Sequence, residues 1–189
     1  MPRIAERKTV YEGKGLLEQL TVERVHEDGR KHTSTEMLWT YGDSIAVLPY
    51  DPLAKTVLLV RQVRSAPLVR ENTLILEACA GKIEVEDKDI FTAAKREAEE
   101  ELGITPTELQ HVGTVYMNPV RLAEHANLFL AQYTAGEQQL DSRDQDEDED
   151  IEVVEMPVSE LINQYRSMKI RCPRLMMLTQ ALLIKLSAV

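Results

Sequence analysis

Cysteine is scarce in this sequence: there are two, Cys79 and Cys172, in 189 residues. They stand at no metal-ligand spacing, which argues against a disulfide framework or a structural zinc site and fits reduced thiols. Cys79 lies in an apolar stretch and reads as packing. Long hydrophobic runs are missing too. None approaches the roughly 20 residues that cross a bilayer, and the N-terminus, with Arg3, Glu6, Arg7 and Lys8, carries no signal-peptide core. A cytoplasmic protein that engages no membrane is expected. Basic residues are outnumbered, 22 Lys and Arg against 32 Asp and Glu, for a net charge of −10. That balance opposes binding to a nucleic-acid backbone, which needs clustered Lys and Arg. No internal repeat is present. The chain is 43% hydrophobic, long enough for one well-filled globular unit and short for two.

Roughly the first 47 residues read mainly as strands. Leu16 to Val25 and Lys31 to Thr40 flank the turn signal Glu27-Asp28-Gly29-Arg30 and predict a β-hairpin. Ser44 to Tyr50 and Thr56 to Val63 form a second pair of apolar runs, joined by the turn sequence Asp51-Pro52-Leu53-Ala54-Lys55. Leu74 to Ala78 is a short strand leading to Gly81. Ile90, Ala93, Ala94, Ala98 and Leu102 make an apolar helical stripe, with Asp89 as N-cap and Gly103 at the C-terminal stop. Strands follow at Leu109 to Met117, Ala126 to Tyr133 and Ile151 to Met156, with an acidic loop from Gly136 to Asp150 before the last. Helices at Val158 to Met168 and Pro173 to Leu186 close the chain. Strands on both sides of a central helix, with further helices at the end, predict an α/β fold with a mixed sheet packed between helices.

The central helix carries the chemistry. In Arg96-Glu97-Ala98-Glu99-Glu100-Glu101-Leu102-Gly103-Ile104, the residues Glu97, Glu100 and Glu101 (i, i+3, i+4) share one face and Glu99 points away. Such crowding invites a divalent cation, although an acidic helix face can also be merely solvated. The frame decides between these readings. It resembles the Nudix box, G-x5-E-x7-R-E-U-x-E-E-x-G-U with U aliphatic: Arg96 and Glu97 match the R-E pair, Ala98 the next U, Glu100 and Glu101 the E-E pair, Gly103 and Ile104 the end. The first half departs. Gly81 to Arg96 is one residue longer than the pattern, and Asp87 stands where the isolated glutamate is expected. A similar extension after Cys-Ala-Gly, here Cys79-Ala80-Gly81, occurs in some Nudix sugar-nucleotide pyrophosphatases. The chain is thus identified as resembling the ADP-ribose and GDP-mannose-type branch of that family.

The resemblance implies the Nudix α/β/α sandwich over residues 44–189. It also implies that the N-terminal β-segment, residues 1–43, is an extension through which the chain forms a homodimer; an edge hairpin on a monomer is the alternative. The implied activity is Mg2+-dependent (or Mn2+-dependent) hydrolysis of the diphosphate in a nucleoside diphosphate sugar, giving a nucleoside monophosphate and a sugar phosphate. ADP-ribose comes first, with GDP-mannose and UDP-glucose as alternatives, and a Nudix-fold regulator that binds such a ligand without cleaving it is the alternative from another class. Magnesium takes oxygen ligands, and the resemblance assigns it Glu97, Glu100, Glu101, the Ala80 carbonyl and Glu149. Arg96 orients the acidic cluster, or forms only an i, i+4 surface pair with Glu100. At the end of the second apolar run, Arg64 matches a substrate-contacting arginine and Arg61 is the weaker candidate, since alternation puts the two on opposite faces of a regular strand. Pro119 resembles a proline that marks ADP-ribose pyrophosphatases, although Asn118-Pro119-Val120 replaces Ser-Pro-Gly. Glu124 matches a glutamate near the substrate. In the stretch Asp144 to Asp150, a solvated loop by composition, Glu147 or Glu149 matches the catalytic base.

Overall fold

The computed structural model describes residues 1–140 and 151–187. The length favours a single globular unit, but the chain forms two compact ones: residues 1–43 with 116–125, and residues 44–115 with 126–189. The first is built on a three-stranded antiparallel sheet, β1 (Arg3–Glu12), β2 (Leu16–Val25) and β3 (Lys31–Thr40), in the order β1-β2-β3. The expected hairpin is present with the expected bounds, running from Leu16 opposite Thr40 to Val25 opposite Lys31. Gly29 takes φ +82° in its turn, where a Cβ would be strained. The strand β1 has no apolar alternation to announce it, because all ten of its residues are exposed. It is held by its ladder to β2, by ion pairs of Arg3 with Glu23 and Arg7 with Glu18, and by Tyr11 stacked on Trp39 at 5.9 Å. The segment 116–125 attaches to β3 through Trp39, which donates to the Arg121 carbonyl at 2.8 Å and accepts from the Ala123 N–H at 2.9 Å.

The second unit is an α/β/α sandwich. Its mixed sheet has the order β6-β5-β4-β8-β7, with β9 also on β5; the strands are β4 (Ser44–Asp51), β5 (Thr56–Gln62), β6 (Ile75–Glu77), β7 (Glu108–Tyr116), β8 (His125–Gln132) and β9 (Glu152–Pro157). The expected β4–β5 hairpin is short. It pairs only Tyr50 with Val57 and Asp51 with Thr56, after which β5 turns to β6 and β9 while β4 runs parallel to β8. Both faces of the sheet are covered, so β4 is buried along its whole length, as expected for a central strand. On one face Ile45, Val47, Leu58 and Val60 pack with Ala93, Ala94, Ala98 and Leu102 of α2 (Ile90–Leu102). The alternate residues Ala46 and Leu48 point the other way, toward the face where α4 (Pro173–Ser187) packs on β4 beside α3 (Val158–Arg166). A short helix, α1 (Ser65–Glu71), follows β5; it buries no residue and ends at Asn72 with φ 49°, so no apolar stripe foretells it. Among the described residues, no helix is long and apolar enough to cross a membrane.

Candidate active site

The helix α2 is fixed at both ends by its own sequence. Asp89 caps it by accepting from the Thr92 N–H at 2.7 Å. Gly103 ends it in the left-handed region at φ 63°, its N–H on the Glu99 carbonyl and that of Ile104 on the Ala98 carbonyl. Between these ends the buried side is Ala93, Ala94, Glu97, Ala98, Glu101 and Leu102. Two carboxylates therefore lie on the apolar face, Glu97 8% exposed and Glu101 4%, whereas Glu99 turns outward to accept from Thr105. Like charges at i, i+4 on a buried face are unfavourable without positive charge nearby.

The loop before α2 supplies the opposite wall. Residues 79–82 run antiparallel along β4, the Cys79 carbonyl accepting from Val47 at 2.8 Å and the Gly81 carbonyl from Ile45 at 2.9 Å. Ala80 alternates with them, and its N–H donates to Glu101 Oε2 at 3.1 Å. In an extended segment the N–H and C=O of one residue leave along the same edge, so the Ala80 carbonyl faces the Glu101 side as well. A Cβ at Gly81 would meet the Glu97 carboxyl carbon at 1.9 Å. Only glycine lets that carboxylate rest against the loop.

Arg96 ties the cluster together. Its Nη1 donates to Glu97 Oε1 and Glu100 Oε2, both at 2.8 Å, while Nε and Nη2 take the two oxygens of Asp87 at 3.2 and 2.9 Å, and Nη2 also reaches the Lys82 carbonyl. It is more than an i, i+4 pair with Glu100. The Asp87 hydrogen bond is the main cause that pushes the Arg96 pKa further up, and the same contact pulls the Asp87 carboxyl below the usual aspartate range. Cys79 is driven well above the ordinary thiol value, first by burial and then by the charges of Glu101, Glu97 and Glu100. Its full burial fits a packing role, as its apolar setting suggested.

The described residues contain no group of three or more His, Cys, Asp or Glu side chains set to hold a metal ion. Two buried carboxylates and a backbone carbonyl nevertheless form an all-oxygen donor set, and magnesium typically takes one or two carboxylates and completes its shell with water and substrate phosphate. The residues fit that ion.

Arg61 and Arg64 are bonded to carboxylates outside this cluster. Arg61 pairs with Glu152 of β9 at 2.7 Å and alternates with Val60, so it faces away from α2. Arg64 lies beyond the end of β5, occupies the N-cap position of α1 without a side-chain capping bond, and donates to Glu77 at 2.7 Å; strand alternation does not reach it. Glu124 and Pro119 belong to the first unit. Glu147 and Glu149 lie outside the described residues. Asp87, left in doubt by its place in the motif, is the main anchor of Arg96. Buried Glu77, the partner of Arg64, sits on a short strand that carries no sequence signal beyond its nearness to Gly81.

The chain matches the NUDIX domain family over residues 40–174. It belongs to the Nudix family. A GDP-mannose pyrophosphatase from Cronobacter sakazakii (strain ATCC BAA-894) is 31% identical over 180 residues, covering 94% of this Nudix chain and 93% of the relative. One of the same name from Escherichia coli (strain K12) is 30% identical over 157 residues, or 82% and 81% of the two. A crystal structure of an ADP compounds hydrolase shares the fold with a TM-score of 0.73 at 18% identity, covering 99% of this chain and 95% of that one.

Proposed function

We propose that this Nudix pyrophosphatase hydrolyses the diphosphate linkage of a nucleoside diphosphate sugar to a nucleoside monophosphate and a sugar phosphate, using Mg2+ or Mn2+. The observation that carries this reading is the pair of buried carboxylates, Glu97 and Glu101, set against a loop whose glycine makes room for one and whose Ala80 N–H orients the other. A fold that only needed α2 as a packing helix would place apolar residues at 97 and 101.

Glu97, Glu101 and the Ala80 carbonyl would hold the metal, with Glu100 beside them and Glu149 as a further ligand. When bound, the ion neutralises the diphosphate and acidifies the attacking water. Arg96, anchored by Asp87, holds Glu97 and Glu100 in place and limits their repulsion. Glu147 or Glu149 takes the proton as the water oxygen attacks phosphorus and the bond to the bridging oxygen breaks. The leaving group is a phosphate monoester.

The substrate order rests on likeness. The relatives named GDP-mannose pyrophosphatase span most of the chain, and the imperfect proline context weakens the ADP-ribose mark, so GDP-mannose is placed first, followed by ADP-ribose and UDP-glucose. Arg61, Arg64 and Glu124 remain proposed substrate contacts. Exposure of all of β1, including Ile4, Val10 and Tyr11, supports a homodimer built on the first unit. A panel of nucleotide sugars with Mg2+, read by phosphate released on adding a phosphatase, tests the reading. Binding without cleavage of any of them would make the chain a regulator.

A further inference from the structure

Three polar side chains, Arg61, Gln62 and Arg64, cluster where β5 ends, and two of them are already committed. Arg61 is bonded to Glu152 and Arg64 to Glu77. Gln62 is different. It is 7% exposed, and its side-chain nitrogen has no hydrogen-bond partner among the described residues. A buried donor left unmade is costly, and native chains keep such a group chiefly where a ligand or water completes it.

Its direction follows from the strand. Leu58 and Val60 pack in the core beneath α2, and side chains two apart share a face, so Gln62 points to the same side. Glu77 stands directly opposite Val60 and shares that face. Two residues further on, Cys79 packs there too, next to the Ala80 N–H that bonds Glu101. The unmatched donor therefore lies on the carboxylate side of the sheet, at its β5–β6 edge.

We infer that Gln62 is a substrate-binding residue whose side-chain N–H donates to an anionic oxygen of the bound diphosphate. That oxygen is the strongest acceptor the proposed substrate brings to this face. The inference rests on the function proposed above. It assigns to Gln62 the open donor of the segment, while the flanking arginines hold its backbone by pairing with Glu152 and Glu77.

Gln62→Met keeps the length of the side chain and removes the donor; Gln62→Leu is the second variant. The ligand-free unfolding temperature of Q62M should equal or exceed the parent's, because an unmatched buried group has been removed. KM for the nucleotide sugar that the parent cleaves best should rise about tenfold or more, with kcat changed far less. Stabilisation by a methylene-bridged, non-hydrolysable analogue of that sugar nucleotide should weaken in step. A parent-like KM in a folded Q62M overturns the inference alone. A lowered ligand-free unfolding temperature in both variants, or failure of both to fold, also overturns it by marking Gln62 as structural. A parent that neither cleaves nor binds any nucleotide sugar overturns the functional proposal and this inference with it.

Discussion

Replacing Gly81 by alanine separates the position of the Glu97 carboxylate from the stability of the fold. The new Cβ would lie 1.9 Å from the Glu97 carboxyl carbon and one of its oxygens, and 2.1 Å from the other, whereas carbon atoms settle at about 3.5 to 4.0 Å. The carboxylate must therefore withdraw by about 1.5 Å or more. It can do so, since the three nearest atoms all belong to the end of one flexible side chain. Gly81 is not among the glycines with positive φ, so alanine meets no backbone strain, and the unfolded chain loses freedom worth about 0.4 to 1 kcal/mol. Stability should consequently change little while the site is spoiled. A displacement of about 1 Å at a reacting centre costs on the order of 100-fold in rate, so kcat/KM should fall by at least about that factor and half-saturation by Mg2+ should move to higher concentration. Thermal unfolding and phosphatase-coupled turnover across a Mg2+ titration read both quantities. A folded G81A variant with parental turnover and Mg2+ dependence would show that the Glu97 position is irrelevant to chemistry.

Glu101→Gln should keep the Ala80 N–H contact through its amide oxygen and lose most turnover, with unchanged or higher stability because a buried like charge is gone; near-normal turnover in the folded variant removes the metal-site reading. Asp51 accepts from the N–H groups of Ala135, Ala54 and Leu53, and these bonds, that of Ala135 first, hold its carboxyl below the ordinary value. Its stabilisation is therefore complete above about pH 4, the unfolded aspartate range, and fades as the pH falls through the lowered native value. Asp51→Ala should lose about 1 to 3 kcal/mol at neutral pH and show a flatter acid limb in urea melts; an unchanged limb contradicts the assignment. Replacing Glu147 or Glu149 by Gln should cost about 10² to 10⁴-fold in turnover if one is the base, while changes at Asp144 or Asp146 do little, and turnover within about threefold of the parent in both Gln variants refutes it. Sedimentation should give a homodimer at micromolar concentration, and a monomer there counts against dimerisation through the first unit.

The helix α2 and the β2–β3 hairpin were legible residue by residue because their signals are local. A cap, a stripe and a stop lie within one stretch from Asp89 to Gly103, and Gly29 marks the hairpin turn. The bounds of β1 and the whole of α1 were not legible, because these elements bury no side chain and no apolar period records them. The β4–β5 hairpin was legible but not the shortness of its ladder, since the main ladder of β4 is a parallel one with β8, Ser44 opposite Ala126. In the site, the face shared by Glu97 and Glu101 followed from helical spacing alone. The role of Asp87 did not, because the extended loop removed the motif's register and only the folded loop shows its grip on Arg96.

The arginines after Val60 show where such reading stops. A strand-end arginine looks the same in sequence whether its partner is a substrate phosphate or a carboxylate 91 residues away, as Glu152 is from Arg61. Once the partners are known, their exposure ranks them. The Arg61–Glu152 pair is open, with side chains 39% and 59% exposed, and a pair of that kind holds by about 1 kcal/mol or less. A diphosphate could draw Arg61 from it, but Arg61 faces away from α2. Arg64 is tied to a Glu77 side chain only 10% exposed, and releasing it would strand a nearly buried carboxylate, a heavier cost. Each arginine thus has a cost to meet before it contacts substrate, direction for one and desolvation for the other. Neither argument touches Gln62, which shares the sheet face covered by α2 and whose side-chain nitrogen has no partner among the described residues to give up.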